Sequence, residues 1–256
     1  MVCDKMTPEE SKLLDFFLSS SVLLRKLGKD GYPVRNAAGC LLDYKGRRWV
    51  LTVSYATGDM GDWRIELEYI KGEGLKNHPI GAMHFASVGD LSVVLAEKLD
   101  LAYAEVPSGL QPLRQFRNPQ GEIEKTLLCV IFDSDLNFMP SNDRSYAFAG
   151  TVMPAKENHF GRIYQSSEFR FYGGLELTGE DKQFYYFKLP FAHPGHEHFK
   201  GTSGAPICDI EGNIAALVCG PGPDGTDTIR GIKMAYFRTL LDVTVLDHET
   251  QGAGKV

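Results

Sequence analysis

Lys200-Gly201-Thr202-Ser203-Gly204-Ala205-Pro206 decides how this chain is read. A serine stands between two glycines, with a proline three residues on and an apolar run (Ile207, Cys208, then Ile214 to Val218) beyond it. Glycine on both sides lets the backbone turn tightly and approach a ligand. A serine on such a turn can act as a nucleophile, with its own N–H and that of Gly201 free to hold a developing oxyanion. The plainer reading is a β-turn between two strands, because Gly and Ser are ordinary turn residues. The stretches upstream have to choose between them.

The bounds come from composition. At 256 residues the chain can bury a large core, as one β-rich domain or two small ones packed together. Apolar residues make up 43% and charged residues 23%, which suits a globular protein, and a net charge of −6 disfavours nucleic acid or an anionic membrane as the main partner. No apolar run approaches a membrane span, and Met1 to Met6 do not read as a secretory signal. The five cysteines (Cys3, Cys40, Cys129, Cys208, Cys219) are scattered and form no CxxC pair. That pattern predicts neither a zinc framework nor a disulfide scaffold, and it places the protein in the cytoplasm. No cofactor is implied, and oligomeric state is not legible.

Outward from the serine, the chain alternates short apolar runs with turn signals. Thr7-Pro8-Glu9-Glu10 starts a helix: Thr7 caps, Pro8 fits the first helical position and Glu10 completes a capping box. Leu13, Leu14, Phe16, Phe17 and Leu18 supply its apolar stripe, and Ser19-Ser20-Ser21 ends it. Strands are predicted at 22–27, 37–43, 48–53, 63–70, 91–96, 101–106, 127–132, 146–153, 183–189 and 214–218, with turns such as Gly89-Asp90 and Gly173-Gly174 between them. A closing helix is expected over 235–246. Many short strands with frequent turns indicate an all-β sandwich or barrel pair.

Four ordered blocks then carry a resemblance. Gly39-Cys40-Leu41-Leu42, Trp49-Val50-Leu51-Thr52-Val53-Ser54-Tyr55-Ala56, Asp100-Leu101-Ala102-Tyr103 and Gly201-Thr202-Ser203-Gly204-Ala205-Pro206 resemble the chymotrypsin/trypsin-like serine peptidases, in their order and at comparable separations. The resemblance implies an all-β fold of two packed six-stranded β-barrels with a short N-terminal and a C-terminal helix. It divides the chain into a helical extension (1–21), a first barrel (22–112) and a second barrel with the closing helix (113–256). It implies Ser203 as nucleophile, Asp100 as the residue that orients the base, and the N–H groups of Gly201 and Ser203 as the oxyanion hole. His196, Glu197, His198, Cys219 and Gly220 fall at the substrate pocket.

The family's general base is a histidine, and that position holds Tyr55. A tyrosine phenol ionises near pH 10, so about one in a thousand carries the base form at pH 7. Nor does a phenol readily pass a proton to an amine leaving group, as imidazole does. The plain alternative for Tyr55 is a half-buried residue at a strand end, bonded to Asp100. Thr202 stands where many secreted members carry the aspartate that pairs with a newly cut N-terminus, and Ala56 stands where they carry a cysteine. Both departures point to the intracellular, disulfide-free branch.

His193-Pro194-Gly195-His196-Glu197-His198 leaves three readings open: a polar surface loop, a specificity pocket or a metal site. We assign no metal. An α/β-hydrolase elbow is set aside, because Ala205 replaces the second glycine of G-x-S-x-G and Pro206 precedes a strand. Two functions follow: a serine peptidase acting through Ser203 but impaired by Tyr55, and a pseudopeptidase that binds a polypeptide or protein partner without cutting it. A purely structural domain that uses the N-terminal helix is the third.

Overall fold

A computed structural model describes residues 6–58, 61–88, 97–118, 120, 122–152, 157–159, 162–164, 168–223 and 226–253. The expected strand 91–96 and the turn at Gly89-Asp90 lie outside the described residues, as does Cys3.

The N-terminal half runs α1 (Pro8–Ser19), β1 (Val22–Leu27), β2 (Pro33–Tyr44), β3 (Arg47–Thr52), α2 (Ser54–Thr57) and β4 (Asp62–Ile70). It continues with β5 (Gly74–Pro79), β6 (His84–Val88) and β7 (Glu97–Val106). Then come β8 (Leu113–Arg117), β9 (Ile123–Leu128) and β10 (Ile131–Asp133). The C-terminal half holds β11 (Ser145–Val152), β12 (Glu157–His159), β13 (Arg162–Tyr164), β14 (Glu168–Glu180) and β15 (Phe184–Lys188). A 3-10 turn (His196–Phe199), β16 (Pro206–Asp209), β17 (Ile214–Pro221), β18 (Thr228–Lys233) and α3 (Met234–Ala253) complete it.

The N-terminal strands form an eight-stranded sheet in the order β5-β4-β1-β2-β3-β7-β6, with β10 added in parallel along β2. The C-terminal strands close a six-stranded barrel, β11-β14-β15-β18-β17-β16, sealed where Tyr146 meets Asp209. Alternation explains the packing. Paired β1 and β2 turn Leu24 and Ala37 into the N-terminal core, while Ala38, one residue on, joins the core of the barrel. In return Cys208, Leu217, Cys219 and Ile232 of the barrel strands share the N-terminal core with Met234, Phe237 and Leu241 of α3. The halves therefore meet through apolar side chains on both sides of the junction.

The N-terminal helix forms as its capping box predicts. Glu10 N–H donates to Thr7 Oγ1 at 3.2 Å and Thr7 N–H donates to Glu10 Oε2 at 2.7 Å. Its apolar face rests on the rest of the chain: Phe17 meets Phe171 of β14 at 5.6 Å between ring centroids, and Phe16 meets Phe132 of β10 at 6.1 Å. Two expectations need correction. Gly173-Gly174 is not a turn but a bulge inside β14, opposite the register shift between Tyr146 and Phe148 of β11. The run 127–132 is not one strand, because β9 ends at Leu128 and β10 begins at Ile131 on a different partner.

Candidate functional site

The Ser203 turn is built almost wholly from main chain. Buried Phe199 anchors it, its ring packed against Tyr172 at 4.9 Å and His193 at 5.0 Å inside the barrel's aromatic stack. The Phe199 carbonyl accepts from Thr202 N–H at 3.0 Å and from Thr202 Oγ1 at 2.9 Å. Ala205 N–H donates to Thr202 O and Gly204 N–H to Val218 O, both at 2.8 Å, and Val218 N–H returns a bond to Ala205 O at 2.9 Å. Gly204 sits at φ +92°, and a Cβ there would overlap the Ala38 carbonyl and Thr52 Oγ1. Only glycine fits.

This turn leans on the other half of the molecule. Ala38 N–H of β2 donates to Ser203 O at 2.9 Å, and Thr52 Oγ1 of β3 donates to Ala38 O at 2.7 Å. The N–H groups of Thr202, Gly204 and Ala205 are thus all engaged. Those of Gly201 and Ser203 have no acceptor among the described residues. Two unclaimed donors flanking an engaged one is the arrangement that an oxyanion seat requires. Ser203 is half-buried, and its Oγ has no hydrogen-bond partner among the described residues.

Two residues beyond Thr52, α2 begins at Ser54 and carries Tyr55. Tyr55 is therefore helical rather than at a strand end, and it is 62% exposed rather than half-buried. Its bond to Asp100 runs through the main chain: Tyr55 N–H donates to Asp100 Oδ1 at 2.6 Å. The phenol has no hydrogen-bond partner among the described residues. Ser54 Oγ lies 3.0 Å from the same carboxylate oxygen and 3.3 Å from Leu99 O, so its single proton serves one or the other. Val53, at the helix start, has no side chain that can cap. Asp100 supplies the cap from β7, accepting one of the orphan first-turn donors.

Cys219 lies beneath this corner, 2% exposed, with its side chain in the core rather than at the surface. Burial pushes its thiol well above the usual range, and the neighbouring Asp100 charge adds to the effect. Gly220 follows at φ +152° with open space around the position of a Cβ. In the 3-10 turn, His198 is exposed and its Nδ1 lies 2.7 Å from Arg170 Nη1, which makes that nitrogen the acceptor. The side chains of His196 and Glu197 lie outside the described residues. His193 takes a bond from Gly195 N–H at Nδ1, and its main-chain N–H donates to Asp227 Oδ1 at 2.8 Å. No described imidazole is bonded to Ser203, and among the described residues no group of three or more His, Cys, Asp or Glu side chains could hold a metal ion.

The Ser203 turn thus rests on Ala38 and Thr52, and the helix capped by Asp100 begins two residues beyond Thr52, with no polar chain from the serine to the carboxylate among the described residues. Ala38 and Thr52, which brace the turn, were not legible beforehand, since an alanine and a threonine within strands carry no chemical signal. An apolar cleft of about 390 Å³ lies elsewhere, between α1 and β14, lined by Leu13, Phe17 and Phe171 among others. None of the candidate residues borders it. No helix among the described residues is long and apolar enough to cross a membrane.

No protein-family model matches this chain, and no curated protein matches it in sequence. Solved structures do match. The serine endoprotease of Yersinia pestis aligns at a TM-score of 0.53 and 11% identity, over 96% of this chain and 69% of that one. The fold is that of the trypsin-like serine proteases. Neuropsin, a serine protease expressed in the limbic system of mouse brain, aligns at 0.52 and 11% identity over 94% and 97%. Human heparin binding protein aligns at 0.51 and 15% over 93% of each chain. Identities this low establish the trypsin-like fold, and the chemistry has to be argued from side chains.

Proposed function

We propose that this trypsin-like chain engages polypeptide at the Ser203 cleft, with proteolysis impaired or lost. One observation supports the reading: Tyr55, at the position that the resemblance gives to the base, is joined to Asp100 only by its main-chain N–H. Removing the base of a serine triad lowers turnover on the order of a millionfold, leaving the modest catalysis that an oxyanion hole and binding supply. The unclaimed N–H groups of Gly201 and Ser203 support retention of the oxyanion seat, and they are what favours residual peptidase activity as the second reading. Proteins of this fold are not all named for cleavage, as the heparin binding protein illustrates. A polyanion is not carried over from that name, because this chain has a net charge of −6.

The test is labelling by a serine-reactive fluorophosphonate, followed by intact mass. The expected result is that Tyr55→His reacts at least ~100-fold faster than the native chain and Ser203→Ala does not react. Equal rates for the native chain and Tyr55→His would establish a working nucleophile without imidazole and sink the pseudopeptidase reading. Failure of both to label would remove the catalytic role of Ser203.

A further inference from the structure

Arg230 differs from Arg144 and Arg170 of the same half of the chain, which pair with Glu211 and Glu168 at the surface. Arg230 has no ion pair among the described residues, although it is half-buried and its Nε is sealed from solvent without a hydrogen-bond partner. Its guanidinium lies over the Phe184 ring, 4.9 Å from the centroid, so one face is covered by an apolar surface. A partly desolvated, uncompensated charge is unfavourable, and a carboxylate brought to it regains that energy as a charge-assisted bond.

The carboxylates nearby are occupied. Asp181 accepts from Gln183 N–H, Phe184 N–H and Tyr186 OH. Glu180 pairs with Lys233, and Asp227 accepts from His193 N–H. Register places Arg230 directly across from Gly220 of β17, and paired residues share one face of a sheet. At Gly220 a Cβ would meet nothing within 4 Å, so the space beside the arginine is open. Gly220 follows Cys219, whose buried thiol adjoins Asp100. The arginine therefore stands across from Gly220, one residue beyond Cys219 and its neighbour Asp100, next to a strand with room above it.

We propose that Arg230 recognises an acidic side chain of the polypeptide held in this cleft, making the protein a reader of aspartate- or glutamate-bearing segments. This rests on the reading that the cleft takes polypeptide. A guanidinium suits this task because its planar fork matches a carboxylate and it stays charged at any physiological pH. The carboxylate would settle over Gly220, where any side chain on β17 would exclude it. Glutamine, with the same shape and no charge, would be the rejected counterpart.

The experiment uses the intact chain and fluorophore-labelled, N-acetylated hexapeptide pools, each with one position fixed as Glu, Gln, Lys or Leu and the rest randomised. Binding is read by fluorescence polarisation. The expected result is a Glu-fixed pool that binds about tenfold more tightly than its Gln-fixed counterpart at one position. Arg230→Gln should erase that difference, leave the Leu-fixed pools unchanged and melt within a few degrees of the native chain. Arg230→Lys should retain part of it. Pools that bind with no preference for Glu over Gln, or a preference that survives in R230Q, would overturn the assignment of Arg230 and leave the peptide-binding reading standing. If no pool binds, both fall.

Discussion

Two regions meet at the candidate site, and they are made differently. The Ser203 turn is held by backbone bonds from both halves and by a glycine that no other residue can replace. The Asp100–Tyr55 corner is held by a side chain: one carboxylate accepts a helix N–H and stands beside a hydroxyl. Backbone geometry persists whatever side chain occupies the nucleophile position, whereas a corner built on a carboxylate stays together whatever side chain follows Ser54. Both frames therefore hold their shape independently of the side chains at positions 203 and 55. Keeping a site's shape and keeping its reactivity are separable demands on a sequence.

That contrast can be broken at several points. Gly204→Ala should have the largest effect, about 4 kcal/mol or more, because the new Cβ overlaps two oxygens at a φ that L-residues avoid. Urea unfolding would measure it, and a loss below about 1 kcal/mol would mean that the turn is not locked as described. Asp100→Ala should lower stability by about 1 kcal/mol, since the Tyr55 N–H at an exposed helix start loses its side-chain acceptor. An unchanged melting curve would show that the carboxylate does not cap α2. Ser203→Ala and Tyr55→Phe should each fall within about 0.5 kcal/mol of the native chain, because neither hydroxyl has a partner among the described residues. A larger loss for Tyr55→Phe would reveal a phenol contact and reopen the question of what that ring does.

Much of this was legible in the chain. The capping box at Thr7 and Glu10, the strand 22–27 and the glycines around Ser203 all act locally, so spacing and residue type suffice to place them. What escaped depends on partners far along the chain. β14, the longest strand, carries a double glycine that ordinarily reads as a turn, and only pairing with β11 reveals it as a bulge. β18 has the mixed sequence Thr-Ile-Arg-Gly-Ile-Lys, whose polar members hide its alternation. Val53-Ser54-Tyr55-Ala56 by itself reads as a strand end, while the carboxylate that accepts the Tyr55 N–H in the helix belongs to Asp100, on a distant strand. Arg230 escaped for the same reason, since its lack of a counter-charge is a property of its surroundings.

The bond from Ala38 N–H to Ser203 O has a consequence for assembly. The donor belongs to one half of the molecule and the acceptor to the other, so neither half contains the seat by itself. It comes into being when the halves dock, and because barrel residues share the N-terminal apolar core, parting the halves opens that core and the seat together. The site is a joint rather than a component, and the amide proton of Ala38 keeps time for it.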